Sequence, residues 1–359
     1  DVPWAQVASS PRPTQSDDTG LESLAKLCGE RDGGLDEIAQ SLAEGRLTDG
    51  SVADIDALTT SLHLRGVPYV WPRAWSLGGA PIPQQEAEKR LKEWLHAYQD
   101  VGKRRCGFAR ATRDGAPWLA AVAVDALADL GRTPMRVRTG GWVEIEATAL
   151  VPTASAKIVV LGPTGAPRAI PTSLAGGKIR GRFAADRPGA WLVQVLGTVE
   201  TGPRPVLEAL VWAGDAQPVN PRATAPGEDA PSPSDDATTA LLAMINGARA
   251  AERLPPLRRD PRLDEVALRH SQAMVAAHRV GHDVGDGDPA VRIAEALPNP
   301  RAAGENVAKA SSVRRAHRSL WASPSHRGNL LMTDFSLVGL GIVQDDEGAL
   351  WVTEAFAGP

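Results

Sequence analysis

Cysteine is almost missing from this sequence, with Cys28 and Cys106 alone among 359 residues. No CxxC pair and no Cys/His finger spacing exists, which excludes a cysteine-based zinc finger. If the protein is exported, the two cysteines make one disulfide; if it is not, they are two buried thiols. An excess of basic charge is also lacking. The formal net charge is −4, so no overall positive field points to nucleic acid or to an anionic membrane. No apolar run approaches the roughly 18 residues that would span a bilayer. There is no GxSxG elbow for a serine nucleophile. The sequence starts at Asp1 and not at Met, which suggests a processed form, such as one that has lost a signal peptide.

What is present fits a globular protein of two or three domains at roughly 150 residues each. Hydrophobic residues make up 43% and charged residues 23%. Residues 1–19 are polar and Pro/Ser-rich and read as a flexible leader. Residues 214–236 hold five prolines and five acids without apolar periodicity. They read as a linker, which at about 3.1 Å per residue could reach roughly 70 Å. Between them, residues 134–213 carry short alternating runs: Trp142–Leu150, Lys157–Leu161, Lys178–Ala185, Ala190–Thr198 and Val206–Trp212. Gly, Pro and Asp separate these runs, which predicts a central all-β sandwich without visible catalytic residues.

Residues 237–359 read as helices laid on an antiparallel sheet. Asp235 and Asp236 precede one helix. Asp260 caps the next, with Pro261 at its first position. Leu263, Val266, Ala267, His270, Met274 and Ala277 share one face of it. Short helices follow Asp288-Pro289 and Ser311-Ser312, and Asp345–Gly348 marks a hairpin. The first part of the chain, residues 20–130, looks like a damaged copy of this last part. LDEIA (Leu35–Ala39) echoes LDEVA (Leu263–Ala267), and Cys106–Val124 echoes Val338–Phe356. Leu35 precedes Cys106 by 71 residues and Leu263 precedes Val338 by 75. The shortfall lies where the last part holds Ser-Pro-Ser-His-Arg, so the copy is expected to have lost its polar site. In such a copy, Cys28 and Cys106 would tie the first helix to the central strand.

Five of the seven histidines lie in the last part: His270, His278, His282, His317 and His326. His278 and His282 do not form a zinc-protease HExxH, because Arg279 stands where the general base belongs and Gly281 should end the helix. His270 on an apolar face reads as a hydrogen-bonded core residue, and His317, among arginines, as exposed. The ordered motifs are DPRLDEVALRHSQAMVAAHRVGHD, AGENVA, WASPSHRGNLL, SLVGLGIV and WVTEAF. Together they resemble the bacterial branch of the CAP superfamily, the SCP domain of cysteine-rich secretory, antigen 5 and pathogenesis-related proteins. The resemblance covers about 120 of the 359 residues. It implies an α-β-α sandwich for 237–359, a degenerate CAP-like α+β domain for 20–130, and a secreted or cell-envelope location.

The resemblance also implies a cleft holding His282, Glu305 and His326. Pro324 is expected to break the helix and let His326 turn inward to face the other two. Animal and plant members carry a second glutamate shortly after the helix tryptophan. Here Ala322-Ser323 stands there, with no acid. A carboxylate among imidazoles favours their protonated forms or a bound metal. Zn²⁺ or another divalent metal on His282, His326 and Glu305 is therefore an expectation. Asp283 adjoins the cleft, either orienting an imidazole or capping a turn. The reading that follows is an exported protein binding a lipid, an envelope polymer or a partner protein. A metal-dependent hydrolase of peptide or glycan bonds, using the same three residues, is one alternative. A purely architectural envelope protein is the other.

Overall fold

Four aspartates set where the main helices begin. Asp18 accepts from the amides of Gly20 and Leu21, Asp32 from Gly34 and Leu35, Asp236 from Thr239, and Asp260 from Arg262. Each satisfies amide groups that the first turn of a helix leaves without partners. The computed structural model describes residues 7–14, 18–49, 52–53, 55–81, 83–97, 101–200, 202–215, 224–297 and 299–358. The protein is α+β with several sheets and separates into two compact units. The first runs to Arg222 apart from 164–168 and 200–204. The second holds those two short stretches and 223–359.

The first unit opens with β1 (Val7–Ala8), α1 (Thr19–Cys28), β2 (Glu30–Arg31), α2 (Gly33–Ala43), β3 (Thr48–Asp49), β4 (Val52–Ala53) and α3 (Ile55–Leu64). Then come β5 (Arg73–Gly78), α4 (Gln84–His96), β6 (Lys103–Arg113) and β7 (Ala116–Ala126). One sheet has the order β2-β6-β7-β5. Leu21, Leu24, Leu91 and Leu95 of α1 and α4 pack with Phe108, Ala121 and Ala123 on one face. Leu35, Ile38, Leu42, Leu58 and Leu62 of α2 and α3 pack with Ala120, Val122 and Val124 on the other. Both faces of β7 are thus covered, which its continuous apolar run requires. Cys28, at the end of α1, is disulfide-bonded to Cys106 in β6.

The unit continues with β8 (Ala128–Leu130), β9 (Thr133–Pro134), β10 (Arg136–Val137), β11 (Trp142–Ala149), β12 (Ser155–Leu161), β13 (Arg168–Ile170), β14 (Thr172–Ala175), β15 (Lys178–Ala184), β16 (Gly189–Val199) and β17 (Gly202–Ala213). They form a five-stranded sheet, β10-β17-β16-β12-β13, and a four-stranded one, β14-β15-β11-β8. Val143, Ile145, Ile179 and Phe183 of one sheet share a core with Ile158, Val160, Trp191 and Val193 of the other. The alternation along β11 sends Trp142, Glu144 and Glu146 outward and Val143, Ile145 and Ala147 inward. Residues 128–130, grouped with the first part in the sequence reading, belong to this second layer through β8 and its pairing with β11.

The second unit contains α5 (Ala237–Ala251), β18 (Arg258–Arg259), α6 (Pro261–Ala276), α7 (Pro289–Ala296), β19 (Ala302–Ala310), α8 (Val313–Ala322), α9 (Pro324–Leu330), β20 (Leu337–Gln344) and β21 (Leu350–Gly358). Its sheet order is β18-β20-β21-β19. α5 and α8 pack on one face and α6 and α7 on the other.

The sheets of the two units agree in detail. β2 pairs parallel with β6 and β18 parallel with β20; each then leads through a hairpin to an antiparallel fourth strand. The amide of Asp32 donates to the Cys106 carbonyl and that of Asp260 to the Val338 carbonyl. The Asp36 carboxylate accepts from the Phe108 amide at 2.8 Å, and that of Asp264 from the Leu340 amide at 2.8 Å. Gly107 and Gly339 mark the tightest approach of helix to sheet. A Cβ there would sit 1.9 Å from the Leu35 carbonyl carbon and 2.0 Å from that of Leu263.

Four expectations need correction. Within the leader, residues 1–6 and 15–17 lie outside the described residues, but Val7–Thr14 is held in place. β1 pairs with β9, and the Arg12 guanidinium donates to the carbonyls of Arg65 and Gly66 at 2.8 Å each. Composition hid this, because the anchors are backbone carbonyls. Within the linker, 216–223 lie outside the described residues, but Ala225 and Glu228 are buried. Glu228 accepts from the Ala225 amide and from Arg318. His317 is buried rather than exposed, with Nε2 donating to the Pro226 carbonyl at 2.9 Å. Burial holds its imidazole below the usual range. Finally, Pro324 ends α8 without freeing the chain. Proline suits the first position of a helix, so α9 starts there and carries His326.

Candidate functional site

Glu305 lies on β19 with its side chain 1% exposed. Its neighbours come from α6, from α7 and from the loop between them. The loop's turns follow from its sequence: α6 ends at Ala276, and Asp283 Oδ1 accepts from the amides of Gly285 and Gly287. Those hydrogen bonds hold the Asp283 carboxyl below its usual range. Asp283 therefore caps a turn. Gly285 and Gly287 adopt φ of +110° and +92°, a region that strains other residues. His278 and His282 share no helix, since α6 has ended before either of them.

This loop brings His282 Nδ1 to 3.0 Å from Glu305 Oε1. An ionised carboxylate only accepts, so Nδ1 carries the proton and Nε2 is the nitrogen turned away from Glu305. Arg292 of α7 donates to Glu305 Oε2 at 2.7 Å and to the His282 carbonyl at 3.1 Å from each Nη. One guanidinium thus pins the histidine loop and balances the buried carboxylate. His270, fully buried on α6, places Nε2 at 2.9 Å from the Gly281 carbonyl and Nδ1 at 2.7 Å from Asp286 Oδ2. Its Nε2 is also 3.6 Å from Glu305 Oε1. It is the hydrogen-bonded interior histidine that its apolar helix face predicts. The His282 side chain keeps 24% of its surface exposed and is, with Asp286 at the rim, the part of this group that solvent reaches most.

Behind Glu305 lies a second polar layer. Asn306 Nδ2 donates to the His326 carbonyl at 3.2 Å and to Glu354 Oε2 at 2.9 Å. Asn329 Nδ2 donates to the Glu305 carbonyl at 3.1 Å and to Asn306 Oδ1 at 2.9 Å. These contacts lash α9, and with it His326, to β19. Glu354 is fully buried on β21, and its Oε1 has no hydrogen-bond partner among the described residues. Desolvation raises its carboxyl to about 7, against the smaller opposing effect of Asn306.

Of the three residues singled out in the sequence, His282 and Glu305 meet directly, and the backbone of His326 is tied to the residue after Glu305. Arg292, Asn306, Asn329 and Glu354 were missed. Only Glu354 left a clear trace: an acid inside the apolar strand WVTEAF must be buried with a partner or at a cost. Among the described residues no group of three or more His, Cys, Asp or Glu side chains is arranged to hold a metal ion. Glu305 is engaged at both oxygens, so as arranged His282, His326 and Glu305 do not fit a three-ligand centre.

The model of the cysteine-rich secretory protein family, CAP, matches residues 242–356. The C-terminal unit carries a CAP domain. Among curated proteins none matches the chain. Three solved structures are similar to parts of the chain. An outer surface protein from Borrelia burgdorferi is 20% identical, covering 34% of this chain and 92% of its own, with a TM-score of 0.33. An extracellular SCP-domain protein from Bacillus anthracis is 15% identical, covering 65% and 86%, with a TM-score of 0.31. A cysteine-rich secretory protein from Staphylococcus aureus is 11% identical, covering 65% and 84%, with a TM-score of 0.30.

Proposed function

We propose that this is an exported CAP-domain protein that binds an extracellular ligand at the His282–Glu305 cleft: a lipid, an envelope polymer or a partner protein. The carrying observation is the closed charge balance around Glu305. With Oε1 on His282, Oε2 on Arg292 and its side chain only 1% exposed, this carboxylate orients an imidazole and is shielded from water. That favours a fixed recognition surface over a metal-dependent hydrolase. The Cys28–Cys106 disulfide supports export, since such bonds persist in oxidising compartments.

In this reading the rest of the chain is architectural: a β-sandwich and a degenerate CAP copy. The copy's site positions can be assigned from register. Asp32 and Asp260 correspond, so Leu42 takes the place of His270. Cys106 pairs with Ala123, which pairs with Arg73; Val338 pairs with Phe356, which pairs with Gly304. Ala74 therefore stands where Glu305 stands. Leu42 and Ala74 both belong to an apolar core.

The test is extraction of the full-length chain, secreted from a host and purified, followed by mass spectrometry beside His282→Gln. The expected result is a co-purifying ligand that is depleted about tenfold in the variant, as loss of one good contact implies. Repeated absence of any ligand from the wild-type chain rejects the reading.

A further inference from the structure

The molecule contains its own control. Features kept in both sheet-and-helix layers serve the fold, and features present only beside the cleft serve the cleft. The kept set includes the capping Asp32 and Asp260, the strand-binding Asp36 and Asp264, their partners Arg31 and Arg259, and the close-approach Gly107 and Gly339. The register that equates Ala74 with Glu305 also equates Trp75 with Asn306 and Ala121 with Glu354. Trp75 instead lies 6.3 Å from Trp94, ring to ring, and Ala121 joins the same apolar core. The fold is thus built once without the Asn306–Glu354 pair.

We infer that Glu354 is a positioning residue of the cleft, acting through Asn306 and Asn329 on Glu305 and His326. This rests on the cleft reading given above. Glu354 fixes the Asn306 amide by accepting from Nδ2. The same nitrogen holds the His326 carbonyl, and Oδ1 of the amide holds Asn329, which in turn holds the Glu305 carbonyl. A buried carboxyl with one oxygen unpartnered costs stability. It persists beside the cleft, whereas the layer without a cleft has alanine there.

The test uses the full chain labelled at histidine, with the His282 and His326 ring signals followed by NMR against pH in Glu354→Met, Glu354→Gln and Asn329→Ala. Glu354→Gln retains an acceptor for Asn306 and is expected to leave both midpoints at their wild-type values. Glu354→Met is expected to move the His326 midpoint by about half a pH unit or more. Should Glu354→Met fail to fold, half-buried Asn329→Ala breaks the same chain of contacts and is expected to move it likewise. Unmoved midpoints in the folded Met or Ala variants, with only a lower melting temperature, overturn the inference. Ligand content is assayed on the same preparations. Ligand retained alongside unmoved midpoints overturns positioning and leaves the cleft reading standing. A wild-type chain without ligand overturns the cleft reading, while the midpoints still decide positioning.

Discussion

Glu354 ties stability to pH with a definite sign. Its carboxyl is raised to about 7 in the fold from an ordinary value of 4.5. Between those values the folded chain keeps a proton that the unfolded chain releases. The contribution is therefore fully present below about pH 4.5 and is lost as pH rises through 7. At 1.36 kcal/mol per unit the loss is roughly 3 kcal/mol. Urea unfolding at pH 5 and pH 8 is expected to show wild type losing most of that amount relative to Glu354→Gln, whose amide cannot ionise. Parallel curves for the two proteins would show that Glu354 does not titrate in this range. Arg292 presents the complementary case. Removing it leaves the buried Glu305 carboxyl without its cation, so Arg292→Gln is expected to cost about 3 kcal/mol. Adding Glu305→Gln should restore part of that loss; a fully additive double mutant would mean the two groups do not interact.

At the scale of elements, helix and sheet meet most tightly at Gly107 and Gly339. Neither glycine needs a left-handed backbone; each is required because backbone atoms of Leu35 or Leu263 fill the space of a Cβ. Gly107→Ala and Gly339→Ala are each expected to cost about 3 kcal/mol or more in urea unfolding, since the obstructing atoms are main chain and cannot rotate away. A neutral result at one of them would break the correspondence between the layers. These elements were legible in the sequence for a physical reason. Local rules wrote them: aspartate caps, apolar residues three and four apart, alternation, an acidic-Gly turn. Val7–Thr14 and Ala225–Asp236 were not legible, because their anchors are non-local: Arg12 on the carbonyls of Arg65 and Gly66, and Glu228 on Arg318. α9 was missed because Ser-Pro reads equally as an end and a beginning.

Across the whole molecule, the motifs carried the candidate site's first contacts but not its charge balance. His282 and Glu305 stand in recognisable segments and meet at 3.0 Å. Arg292 sits in α7, a short helix whose pattern gives no hint of a partner on β19. That arginine bears directly on the metal question. With an uncompensated Glu305, two imidazoles and a carboxylate would attract a divalent cation; with Arg292 at 2.7 Å, the positive charge is already in place. A cation binding the folded chain alone stabilises it by RT ln(1 + [L]/Kd), so a zinc concentration one hundred times Kd adds about 2.7 kcal/mol. The full-length chain is therefore expected to melt at the same temperature in excess EDTA and in micromolar zinc, and elemental analysis is expected to find zinc well below one equivalent. A saturable rise in melting temperature with zinc, abolished by His282→Gln, would show that Arg292 yields its place to the metal and would return the hydrolase reading to first position.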